Sequence, residues 1–169
     1  MDALDKFDLA ILEHLQNDGR LSNAELASRV GLSAAPCWRR VRALEEAGYI
    51  RGYHAEIDRL KVGLGVLAFV RLDADRNAGD VLRALEETLR TIPEVVSCHY
   101  ISGTGTFELQ VVSQDLQTFS QFARDVLINL PNVKDLHTSF SLGEVKASSA
   151  LPLSQLQAPP TGATMKGRP

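Results

Sequence analysis

The stretch Ser22-Asn-Ala-Glu-Leu-Ala-Ser-Arg-Val-Gly-Leu-Ser-Ala-Ala-Pro-Cys-Trp-Arg-Arg-Val-Arg42 reads as two helices joined by a tight turn. Ser22 and Glu25 have the spacing of a capping box, in which the serine oxygen accepts from the Glu25 amide and the carboxylate reaches back. A short helix should run through Val30. Gly31 sits where the chain must turn, and Ser33 is placed to cap a further helix from Ala34 to Ala47, closed by Gly48. Upstream, Leu4, Phe7, Leu9, Ile11, Leu12 and Leu15 form a helical stripe, ended at Asp18-Gly19-Arg20 with the glycine as its left-handed stop. Three helices with a glycine turn between the last two are a helix-turn-helix.

On the third helix Cys37, Val41 and Leu44 recur at i, i+4 and i+7 and face the core. That register turns Ala35, Arg39, Arg42 and Glu46 outward and leaves Trp38 and Arg40 on the flanks. In this motif the first turns of the helix enter the major groove. Ala34 and Ala35 are small enough for close approach and contact with a thymine methyl. Arg39 and Arg42 are the candidates for guanine O6 and N7, and Arg40 for phosphate. The amides of Ser22 and Ser33, at helix starts, are further candidates for phosphate. Trp38 belongs to the DNA-facing set by position, although it reads first as a partly buried packing residue. Cys37 reads as core. An arginine run elsewhere would be a solvated face pairing with Glu45 and Glu46. Its place after a capped helix and a glycine turn is what points to DNA.

The chain as a whole is acidic, with a net charge of -3 over 169 residues, so the cluster does not reflect general basicity. Such a balance argues against a protein that coats nucleic acid through widely spread positive charge. An apolar share of 44% and a charged share of 23% are those of a globular protein. Two distant cysteines, Cys37 and Cys98, and four scattered histidines make neither a disulfide framework nor a zinc pattern, so no cofactor or metal is expected. Met-Asp-Ala-Leu-Asp-Lys has neither the basic nor the apolar region of a signal peptide. No apolar run approaches the roughly 20 residues that span a bilayer. A cytoplasmic location without a membrane partner is expected.

Tyr49–Ile57 alternates apolar and polar residues and predicts a strand, followed by a linker from Asp58 to Gly65. A second rhythm then begins. Strands are expected at Val66–Leu72, Val95–Ile101, Phe107–Ser113 and, as a long alternating run, Val133–Val145. Helices are expected at Ala78–Ile92 and from Asp115 to Leu130. The order β-α-β-β-α-β is the split ferredoxin-like arrangement, with two helices on one face of an antiparallel sheet. The other face needs a partner, and Val66, Ala68, Val70, Val111 and Phe140 are expected there. The fold class is therefore α+β: a three-helix helix-turn-helix domain over residues 1–50, a strand and linker over 51–64, a ferredoxin-like domain over 65–153, and a disordered tail over 154–169.

The pattern Leu4-Asp5, Asp8, Ile11-Leu12, Leu15, Asp18-Gly19-Arg20, Ser22-Asn23, Glu25-Leu26-Ala27, Val30-Gly31-Leu32-Ser33, Pro36-Cys37, Arg40-Val41, Leu44-Glu45, Gly48-Tyr49-Ile50, Gly52-Tyr53 resembles the Lrp/AsnC family of transcription regulators. The likeness runs from Leu4 to Leu153 and includes Ser102-Gly103, Leu130-Pro131-Asn132-Val133 and Glu144-Val145-Lys146. It implies a second domain that dimerises through its sheets, assembles dimers into octamers and binds an amino acid between subunits. The effector loop of the family, usually Gly-Asp-x-Asp-Tyr/Phe, falls on Gly103-Thr104-Gly105-Thr106-Phe107, where both acids are threonine. An ammonium group loses a carboxylate partner there, though a hydroxyl can still accept. Ala35 and Trp38 also depart from the residues usual in the family.

The effector-binding candidates are His99, Ser102, Gly103, Thr104, Gly105, Thr106, Thr138 and Ser139. Gly103 and Gly105 read equally well as a hairpin turn needing positive φ. His99 and His137 would suggest a metal or a base if their strands were neighbours, but without a nearby carboxylate they read as ordinary sheet residues. The expected function is a sequence-specific regulator of transcription in amino-acid metabolism, a homo-oligomer that binds double-stranded DNA and an amino-acid effector. Two other classes compete. One is an enzyme using Glu108, His99 and Cys98; strand alternation puts Cys98 and His99 on opposite faces, and no nucleophile, base and orienting group come together. The other is an architectural protein that wraps DNA with little sequence preference.

Overall fold

The computed structural model describes residues 4–75, 79–146 and 150–156. Two compact units divide the chain: residues 1–56 together with 147–169, and residues 57–146.

In the first unit, α1 (Lys6–Asn17), α2 (Asn23–Val30) and α3 (Ala34–Glu46) bury Ile11, Leu26, Ala27, Val30, Cys37 and Leu44 in one core. The α2 start has the expected capping box: the Glu25 amide donates to Ser22 Oγ at 3.3 Å and the Ser22 amide donates to Glu25 Oε2 at 2.9 Å. Gly31 then turns the chain at φ 71°, a left-handed conformation that a side chain strains. A second capping box, formed by Asp5 and Asp8, starts α1. Its carboxylates also hold Arg40 of α3, whose guanidinium lies 2.8 Å from Asp5 and 2.7 Å from Asp8, over the Phe7 ring at 5.5 Å.

Three local expectations fail here. Gly19 is not the left-handed stop of α1. Asp18 ends the helix in an extended conformation (φ -147°), and its side chain accepts from the Arg20 amide. Gly19 instead gives room to the Tyr53 ring, which a Cβ would meet at 3.2 Å. Ser33 stands at the N-cap of α3 but its side chain makes no capping hydrogen bond. The third residue of α3 is Pro36, which has no N–H to donate. Tyr49–Ile57 forms no strand. The Tyr49 and Ile50 amides close α3 on the Leu44 carbonyl, Tyr53 Oη donates to Glu45, and no partner strand pairs with the segment among the described residues.

The second unit pairs β1 (Val66–Ala74), β2 (Val95–Tyr100), β3 (Phe107–Ser113) and β4 (Val133–Phe140) in the antiparallel order β2-β3-β1-β4. Helices α4 (Asp80–Thr91) and α5 (Leu116–Asp125) cover one face, where Leu85, Leu89 and Phe119 pack on Ala68, Val70, Leu72, Leu109 and Val111. Ala78, expected to open α4, lies outside the described residues. The α5 helix stops at Asp125, short of Leu130, where Asn129 Nδ2 caps the Arg124 and Asp125 carbonyls. The β4 strand stops at Phe140, short of Val145. Phe140 pairs with Ala68 and the Ser141 amide donates to Leu67, near the end of β1, so later residues have no ladder to join.

The open face of the sheet is also not the one expected. Ala68, Val70 and Val111 are buried beneath the helices, and Phe140 meets the Phe119 ring edge-on at 5.2 Å. The opposite face carries Leu67 and Phe69, and a row of polar groups, His99, Glu108, Arg71 and His137, in register across all four strands. These residues do share one face, but it is the face the helices cover.

The C-terminal segment returns to the first unit. Gln16 Nε2 donates to the Leu151 carbonyl at 3.0 Å, the Leu151 amide donates to Gln16 Oε1 at 2.8 Å, and Leu153 is buried. Ser154–Leu156, expected to begin a disordered tail, continues a short 3-10 turn, Leu153–Leu156; residues 157–169 lie outside the description.

Arg40→Ala should lower stability by about 1 kcal/mol, a modest figure because the pair is partly exposed and screened. Thermal unfolding followed by helical dichroism reads this as a drop of roughly 4–8 °C for a unit of this size. Amides of Asp8 and Phe7, and Arg40, hold the Asp5 carboxyl below its ordinary value. A lowered folded pKa gives stability that is present above the unfolded value and lost as the pH falls through the folded one. The difference between wild type and variant should therefore persist at neutral pH and shrink below about pH 4.

Candidate functional site

Packing of Cys37 and Leu44 rotates α3 so that Ala35, Trp38, Arg39, Arg42 and Glu46 are exposed. Arg39 has no ion pair or hydrogen bond among the described residues, so its guanidinium is available to a ligand. Arg42 is lightly held, 3.4 Å from Glu45 and 5.9 Å from the Trp38 ring centroid. Arg40 is different. Its two carboxylate partners on α1 make it a brace between helices, and hydrogen bonding to Asp8 raises its pKa further. A phosphate would have to compete with both carboxylates for this guanidinium.

At the start of α3, the proline that denies Ser33 a capping partner leaves its hydroxyl and the first helical amides without a cap, the arrangement that suits an anion. Ala34 and Ala35 are exposed beside it, and Asn23 Nδ2 donates to the Ala34 carbonyl at 2.9 Å, tying the start of α2 to the start of α3. Ser22 does not share this freedom. Its amide and hydroxyl both donate to Glu25.

In the second unit the loop from Ser102 to Thr106 joins β2 to β3. Gly103 (φ 92°) and Gly105 (φ 82°) are left-handed, and a Cβ on Gly105 would collide with the Arg71 side chain. Both glycines are thus needed by the turn itself. Thr106 is fully buried, and its hydroxyl is engaged within the chain: it accepts from the Ala74 amide at 3.0 Å and lies 2.9 Å from the Ala74 carbonyl and 3.2 Å from Asp73 Oδ1. Burial and these bonds within the chain turn the hydroxyl away from solvent. Ser102 and Thr104 are exposed.

The other effector candidates are dispersed within one chain. His99 lies on β2, which is an edge, with Ser97 Oγ 3.1 Å from its Nε2. Thr138 and Ser139 lie on β4, the opposite edge, where they pair with Val70 and Phe69 and so point to opposite faces. Three strand spacings, about 14 Å, separate the two edges. His137 is likewise not beside His99; it lies 3.3 Å from Asp135. Cys98 pairs with Leu109 while His99 pairs with Glu108, so thiol and imidazole face apart, and desolvation and then Glu86 push the Cys98 thiol up. Among the described residues no group of three or more His, Cys, Asp or Glu could hold a metal ion, and no helix is long and apolar enough to cross a membrane.

Comparison with known proteins follows the same division. Residues 4–51 match the winged helix-turn-helix DNA-binding model, and residues 67–151 match the Lrp/AsnC ligand binding domain. The Bkd operon transcriptional regulator of Pseudomonas aeruginosa is 40% identical over 153 residues, covering 90% of this chain and all of that protein. The leucine-responsive regulatory protein of Escherichia coli is 38% identical, covering 88% of this chain and 90% of its own length. Among solved structures, a Neisseria meningitidis transcriptional regulator in complex with L-methionine superposes with a TM-score of 0.87 at 42% identity, covering 91% of this chain and 99% of that one. These relatives are regulators of transcription, not enzymes. With a helix-turn-helix that exposes its arginines and a ligand-binding domain of matching topology, the chain belongs to the Lrp/AsnC family of DNA-binding transcriptional regulators.

Proposed function

We propose that the protein is a cytoplasmic, sequence-specific regulator of amino-acid metabolism. It reads DNA through α3 and answers to an amino acid bound by its second unit. The observation that carries the DNA reading is the exposed, unpaired Arg39 beside the weakly held Arg42 on the one face of α3 that the core does not use. Bidentate pairing of an arginine with guanine O6 and N7 gives sequence preference. Ser33 and the amides of Ala34 and Ala35 serve the phosphates.

An effector reading is supported by the family of the second unit and by the L-methionine bound to the Neisseria relative. Homo-oligomerisation, as a dimer and as an octamer built from four dimers, is supported by the open sheet face, where Phe69 is exposed and Leu67 half-buried, and by the dispersion of His99, Thr138 and Ser139 across one chain. A site assembled between subunits would draw such residues together from two copies. Thr104 is the one loop threonine left to meet a ligand.

Arg39→Ala and Arg42→Ala should each lower affinity for a selected duplex by about 1–3 kcal/mol and flatten base preference. Arg40→Ala should leave the salt dependence of binding unchanged, since its charge is held by α1. Gel-shift titration on selected and scrambled duplexes checks this; a preference undiminished in both variants would remove α3 from the reading. An architectural protein would instead bind both duplexes alike.

Thr104→Asp places a carboxylate on the exposed part of the loop. A charge-assisted bond is about twice as strong as a neutral one, so amino-acid affinity should rise by about 1 kcal/mol, roughly fivefold. Isothermal titration with L-methionine and L-leucine measures the change. Equal affinities in wild type and variant would place the ammonium group elsewhere.

A further inference from the structure

The exposed side of α3 carries one group that charge does not explain. Trp38 is the single tryptophan of the chain and is 56% exposed. It is not the partly buried packing residue that a tryptophan suggests, because Cys37 takes the core position beside it. Trp38 follows Ala35 by three residues and precedes Arg42 by four, so the three share one helical face. The Arg42 guanidinium lies 5.9 Å from the ring centroid and is held from another side by Glu45 at 3.4 Å. The ring thus supports a cation while much of the indole meets solvent.

A rigid apolar ring turned outward between a small residue and an arginine suits an apolar mark on a base edge. In the major groove that mark is the 5-methyl group of thymine. Tryptophan offers a large contact area with only two side-chain torsions to order. We infer that Trp38 is a specificity-determining residue that reads thymine: its indole packs on the 5-methyl group beside the base pair addressed by Arg42, whose guanidinium it steadies. The inference rests on the DNA-reading role of α3 and adds to it a contact that salt does not screen.

The test uses the full chain and a duplex selected by the wild type from random sequence. Replacing thymine with deoxyuridine, one position at a time, removes only the methyl group. The wild type should lose about three- to fivefold in affinity at one position per half-site, the effect of one buried methyl. Trp38→Ala should bind the selected duplex roughly tenfold more weakly and be indifferent to that same replacement. Its slope of log affinity against log salt should match that of the wild type, since no charge is removed. Trp38→Phe, which keeps an aromatic face, should recover part of the loss and of the deoxyuridine sensitivity. A wild type insensitive to every replacement, or a Trp38→Ala that loses the same factor at the same position, overturns the inference. If the wild type selects no sequence at all, the DNA-reading role falls and this inference falls with it.

Discussion

Cys37 and Leu44 are packed against Ile11, Leu26, Ala27 and Val30, and this packing sets how α3 is rotated about its axis. A helix turns 100° per residue, so burying one stripe leaves no choice about which residues face away. Ala35, Trp38, Arg39 and Arg42 are outward because the core takes the other side. The left-handed Gly31 fixes where α3 begins relative to α2, and the brace from Arg40 to Asp5 and Asp8 fastens α3 to α1. Two neighbouring arginines therefore have different work. Arg40 is held by two carboxylates, whereas Arg39, one residue earlier, is unpaired.

That difference marks the limit of what the sequence could tell. The capping box at Ser22 and Glu25, the glycine turn and the core stripe were legible because each depends on residues within one or two turns of one another. The role of Arg40 was not, since its partners lie 32 and 35 residues away and on another helix. Ser33 makes no side-chain cap, and the sequence carries a local reason: Pro36 at the third helical position removes one of the two amides a cap would use. Tryptophan is usually well covered, which favours packing for Trp38, but the rotation of α3 puts it outside.

In the second unit the order of elements was legible and the strand faces were not. Alternation along β1 gives two candidate faces, and nothing in Val66–Leu72 itself says which one the helices cover. The loop between β2 and β3 shows a related limit. Its glycines read equally as turn and as ligand site, and the structure shows that the turn alone requires Gly105, whose Cβ would strike Arg71. Thr106, placed by resemblance in the ligand set, is a structural hydroxyl tying the loop to Ala74. The glycines mark a turn and the resemblance marks a ligand loop, but neither says which hydroxyl faces outward.

In the proposed function α3 reads DNA from the major groove. Dimethyl sulfate distinguishes the grooves directly, because it methylates guanine N7 in the major groove and adenine N3 in the minor groove. On a duplex selected by the full chain, the account predicts protection of particular guanine N7 positions and loss of that protection in Arg39→Ala or Arg42→Ala. Protection confined to adenine N3, with guanine N7 fully reactive, would contradict it.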